Sequence, residues 1–146
     1  MNTTNDAGSR MRALAIAIGF VAPMTVSLAV WAADVKVSLS GDQEVPPVTT
    51  SAKGSGALMF GADKSVSGSV MTTGVNGTAA HIHEGAPGKA GGVIIPLVKD
   101  GDGKWSFPAG AKLTDAQEAA YKAGNLYVNV HSEAHKDGEI RGQIKP

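Results

Sequence analysis

Val35-Lys-Val-Ser-Leu-Ser40 alternates apolar and polar residues with a period of two, the pattern of a strand with one face buried. The same period returns along the chain. Ala57-Leu-Met-Phe60 runs into a turn at Gly61-Ala-Asp-Lys64, and Ser65–Thr73 alternates again. Ala79–His83, Val93–Val98, Trp105–Phe107, Leu126–His131 and Glu139–Ile144 follow, divided by turns rich in Gly, Asp and Pro. About eight short strands at such intervals, with no internal repeat, predict an all-β sandwich. Alternation also assigns faces: Ile82, Val128, Val130, Ile140 and Ile144 turn to the core.

One segment departs from this period. Leu113–Gly124 reads as a short helix near residues 114–123. Thr114 can cap the first backbone N–H groups, and Gln117 three residues later completes a capping box. Asp115 and Glu118 suit the positive end of the helix, and Gly124 suits its left-handed stop. Val45-Pro46-Pro47-Val48 has two residues that cannot donate to a ladder, so it reads as a stiff edge or crossover between strands.

Residues 13–33 carry no charge, follow Arg10 and Arg12, and end in small residues. A basic region, an apolar region and a small-residue exit make up a secretory signal peptide, here residues 1–32 with cleavage before Ala33. The competing reading is an uncleaved membrane anchor, because 21 uncharged residues can span a bilayer. Either way residues 33–146, a single domain, would lie outside the cytoplasm, in the periplasm or secreted.

The composition excludes several classes. The chain of 146 residues has no cysteine, so disulfides, thiolate metal sites and cysteine nucleophiles are absent. Thirteen basic and thirteen acidic residues leave no net field to attract nucleic acid. Three Phe, two Trp and two Tyr are too few for a base-stacking platform. No Gly-x-Ser-x-Gly elbow or phosphate loop occurs.

All four histidines fall in two motifs, Ala80-His-Ile-His-Glu-Gly85 and Val128-Asn-Val-His-Ser-Glu-Ala-His135. On a strand His81 and His83 share a face with Cβ atoms about 7 Å apart. Two imidazoles at that spacing can close on one ion with bonds of about 2 Å. Val128 and Val130 inward leave Asn129 and His131 on the opposite face. His135 follows on a loop before the Asp137-Gly138 turn. His81, His83, His131 and His135 are therefore the candidate metal ligands. An all-imidazole set suits copper(II), zinc or nickel(II), and copper has the highest intrinsic affinity. The alternative is that these histidines are ordinary surface or hydrogen-bonding groups.

Leu39-Ser-Gly-Asp-Gln-Glu-Val-Pro-Pro-Val48, Ala80–Gly85, Leu113-Thr, Gly124–His131 and Gly138-Glu-Ile-Arg-Gly-Gln-Ile144 together resemble the CHRD domain, in order over about residues 35–145. The family is named for chordin, an extracellular antagonist of growth factors, and the chain is similar to its short, exported bacterial members. The resemblance implies a β-rich domain and no reaction. More distantly, His81-Ile-His83-Glu is similar to the copper-binding strand of copper–zinc superoxide dismutases. Val128-Asn-Val-His131-Ser-Glu is similar to a later copper-binding strand of the same enzymes. This likeness implies an immunoglobulin-like Greek-key sandwich and a three-histidine copper site, with His135 as a further ligand. The bridging histidine, the zinc ligands and the cysteine pair have no counterpart, so dismutase activity is not implied.

The reading that follows is an exported protein with one mononuclear histidine site, binding, buffering or delivering copper, with zinc as the other candidate ion. Two alternatives stand beside it: a copper-dependent redox enzyme, and a metal-free extracellular interaction module.

Overall fold

The computed structural model describes Met1 and residues 34–146. All of the expected leader over residues 1–32 except Met1 lies outside this range. Among the described residues no helix is long and apolar enough to cross a membrane.

The domain is all-β with one short helix. In chain order the strands are β1 Asp34–Ser40, β2 Lys53–Phe60, β3 Val66–Thr73, β4 Gly77–Glu84, β5 Val93–Pro96, β6 Val98–Lys99, β7 Lys104–Ser106, β8 Leu126–Ser132 and β9 Ile140–Ile144. They form one antiparallel sheet in the order β5-β4-β8-β9-β1-β2-β3-β7-β6. The two end strands are consecutive in the chain and parted only by Leu97, so the sheet almost closes on itself. Pro96 lacks the N–H needed to continue the ladder, which confines it to an edge. The next N–H, that of Leu97, still donates to Ala80 O at 2.9 Å. Lys99 Nζ then donates to Gly77 O at 3.0 Å, holding the far edge beside β4. The single strand expected over Val93–Val98 is thus broken into two at this corner.

The alternation expected of the sequence holds in the core. Ile82, Val128, Val130, Ile140 and Ile144 are each 1% exposed or less, so β4, β8 and β9 have the expected register. They pack with Val35, Val37, Leu39, Leu58, Val70 and Trp105 from the other strands. Burying side chains of this size contributes about 1.5–3 kcal/mol each.

Helix α1 spans Asp115–Lys122, capped by Thr114 in the expected box with Gln117. Gly124 ends it at φ +72°, a conformation that costs glycine little. Tyr121 stacks on Phe60 with ring centroids 3.9 Å apart, which fastens the helix to the end of β2. The prolines of Val45–Val48 lie in the loop between β1 and β2, outside any ladder, and the Val48 N–H closes that loop on Gly41 O at 2.8 Å.

Candidate metal centre

If alternate residues of β4, β8 and β9 face the core, the others must form a second face. That face carries His81 and His83 on β4, Tyr127, Asn129 and His131 on β8, and Arg141 and Gln143 on β9. The register sets His81 opposite Asn129, His83 opposite Tyr127, and Asn129 opposite Arg141. Directly paired residues in such a ladder have Cβ atoms about 4.5–5.5 Å apart, so their side chains must meet. Two loops roof the face. Residues 85–92 lie over Tyr127 and Arg141, and the β1–β2 loop brings Glu44 down beside Asn129.

His81, His83 and His131 converge there, with one ring nitrogen from each within 4.8 Å of the others. His83 Nδ1 lies 2.9 Å from Gly91 O, and His131 Nδ1 lies 2.8 Å from Lys136 O. A carbonyl can only accept, so both Nδ1 atoms carry the proton and both Nε2 atoms keep a lone pair. His81 Nδ1 donates to His131 Nε2 at 3.0 Å, a proton that a shared ion would replace. Two nitrogens bound to one ion at about 2 Å lie about 3 Å apart when their bonds are near a right angle. The atoms that could serve as donors to such an ion are therefore His81 Nδ1, His83 Nε2 and His131 Nε2.

The buried Nε2 of His83 has no hydrogen-bond partner. Unpaired buried groups of this kind are rare in folded proteins, and an ion among the three rings would engage it. Metal-binding histidines commonly give their other N–H to a backbone carbonyl, as His83 and His131 do here. The residues present fit a metal ion bound through three imidazoles.

The surroundings hold the rings in place and favour the neutral form of His81 and His83. The His83 ring stacks on Tyr127, centroids 4.8 Å apart and 8° from parallel. On its other side Tyr127 meets the Arg141 guanidinium at 3.5 Å from the ring centre. The Tyr127 hydroxyl accepts from the Gly91 N–H at 3.0 Å, which fixes the residue that orients His83. Arg141, only 2% exposed, donates to Lys89 O at 2.9 Å, Ala86 O at 3.1 Å and Gln143 Oε1 at 2.9 Å. It thus ties the 85–92 loop to the sheet. Burial lowers the His83 pKa, against the opposing pull of the Gly91 carbonyl. Burial, then the neighbouring His131 and His83, lowers that of His81. Burial also pushes the Glu44 carboxyl up, and the Arg141 charge partly offsets this.

His135 lies outside the converging group. It sits in the turn after β8, where its N–H and carbonyl pair with Ser132 at 3.2 Å, and it lines a separate hollow with Glu44, Val45 and Pro46. Sequence reasoning found the three converging histidines but gave no role to Glu44, Tyr127 or Gln143. Glu44 lies in the Gly41–Val48 loop, and only the pairing of β1 with β9 carries that loop to the site.

Residues 35–144 match the CHRD domain, and the chain belongs to that family. No curated protein and no solved structure matches the chain.

Proposed function

We propose that this CHRD domain is an exported protein that binds one copper ion through His81, His83 and His131, and that it binds, buffers or delivers copper outside the cytoplasm. One observation carries the reading. Two of the three imidazoles commit Nδ1 to a backbone carbonyl, which leaves Nε2 as the lone-pair nitrogen of each, in a group with one ring nitrogen of each histidine within 4.8 Å of the others. Three imidazoles without thiolate favour copper(II) over zinc in intrinsic affinity. Export rests on the uncharged stretch after Arg10 and Arg12. His81 and His131 are only partly buried, so one side of the ion would face solvent. That is the feature that keeps a redox role as the second reading.

The test is a competition titration of metal-stripped protein with copper(II) and zinc(II). One copper per chain is expected, bound more tightly than zinc. His81→Ala, His83→Ala and His131→Ala should each remove most of the affinity, and His135→Ala much less. Zinc bound more tightly than copper would change the ion. Equal uptake by all four variants would leave the interaction-module reading.

A further inference from the structure

We propose that Asn129 supplies an oxygen donor to the ion held by His81, His83 and His131, and that Glu44 is the positioning residue that aims it. The inference rests on the metal-binding reading above. Asn129 stands directly opposite His81 in the β4–β8 ladder and two residues before His131 on the same face of β8. Its side chain therefore rises from the sheet among the histidines, and it is only 2% exposed.

Among the described residues, four buried side-chain atoms lack a hydrogen-bond partner, and three of them belong to His83, Asn129 and Glu44. They are His83 Nε2, Asn129 Oδ1 and Glu44 Oε1. With His83 Nδ1 committed to Gly91 O, its Nε2 is a lone-pair acceptor, as Asn129 Oδ1 always is. The two cannot satisfy each other, but a cation between them would satisfy both.

The direction of the amide follows from Glu44. A Cβ added at Gly138 would collide with Glu44 Oε1 and lie 2.8 Å from Asn129 Nδ2, so carboxylate and amide nitrogen share one side. Of the two ends of the amide, the N–H₂ is the one from which a carboxyl oxygen can accept, which leaves the amide oxygen turned toward the histidines. Gly138, at φ +131°, keeps the space between them open. A carbonyl oxygen added to three imidazoles gives a mixed nitrogen and oxygen set, which suits tetragonal copper(II). It also explains a buried asparagine between Val128 and Val130, where packing alone would not call for one.

The experiment is copper(II) titration of the full chain and of Asn129→Leu, Glu44→Leu, Glu44→Gln and His83→Ala, with the thermal midpoint of each metal-free protein recorded. Asn129→Leu removes the oxygen at similar volume. It is expected to weaken copper binding by about 10–100-fold, the range usual for groups that support a metal site. Its metal-free midpoint should be unchanged or raised, because an unpaired buried acceptor is gone. Glu44→Leu should weaken binding less, and Glu44→Gln should restore it, since the new carbonyl oxygen can take the carboxylate's place. Should Asn129→Leu not fold, Asn129→Asp keeps an oxygen and should bind at least as tightly as the unaltered chain; weaker binding overturns the proposal. Wild-type affinity in Asn129→Leu, with affinity lost in His83→Ala, overturns the role of Asn129 and leaves the metal site standing. No copper uptake by the unaltered chain overturns both.

Discussion

Replacing Ile82 by alanine separates the two faces of β4. Ile82 is 1% exposed and lies between two histidines that point the other way. The change deletes three carbons from the core, about 2.4 kcal/mol at about 0.8 kcal/mol each. The space left behind raises the expected cost to about 3–4 kcal/mol, within the range for Ile→Ala in a packed core. For a domain of this size each kcal/mol moves Tm by about 4 °C, so the midpoint should fall by about 12–16 °C. Differential scanning calorimetry of the metal-free protein measures it. Copper affinity, read at a temperature where the variant is still folded, should stay within a few-fold of wild type, because the ring positions come from the strand backbone and the opposite face. A fall in Tm of less than 3 °C would show that Ile82 is not in the core. The facing of His81 and His83 would go with it.

Acid should weaken the metal-free fold in a defined window. His81 and His83 have folded pKa values below the ordinary 6.5, so the unfolded chain takes up their protons first. Stability therefore falls as pH drops below about 6.5 and levels off once the folded rings are protonated too. Urea midpoints at pH 7.5, 6.5 and 5.5 should decline, and the decline should be smaller in His83→Ala; a rise toward acid would contradict the buried neutral imidazole. Thr114→Ala removes the side-chain cap of α1 and should cost about 1 kcal/mol in urea unfolding with no effect on copper affinity. Gly138→Ala places a Cβ against Glu44 Oε1 and Asn129 Nδ2 at a positive φ, so it should lower both stability, by about 1–3 kcal/mol, and copper affinity. Stability lost without any change in affinity would separate that turn from the metal centre.

Much of the site was legible because a strand has a fixed period. Once Val128 and Val130 go inward, Asn129 and His131 must go outward, and His-x-His on β4 follows the same rule. The helix was legible for an equally local reason, since Thr114 and Gln117 serve each other across one turn. What local patterns do not carry is which strands become neighbours. In the Val93–Val98 run Pro96 marks where a ladder must stop, but nothing local says that Val98 begins another at the far edge. Lys53–Gly56 belongs to β2, yet its Gly and Ser residues carry no apolar alternation. Glu44, Arg141 and His83 are far apart in sequence and meet only through the β1–β9, β8–β9 and β4–β8 pairings. His135 illustrates the same limit: proximity to His131 in sequence does not bring it into the converging group, because the Ser132–His135 turn directs it elsewhere.

The central claim is that three imidazole nitrogens share one copper ion. Electron paramagnetic resonance of the protein loaded with a single equivalent of copper(II) tests it most directly. One spectral species is expected, with hyperfine structure from three nitrogens, reduced to two in His83→Ala and unchanged in His135→Ala. A spectrum of hydrated copper, or one that His83→Ala leaves as it was, would contradict it.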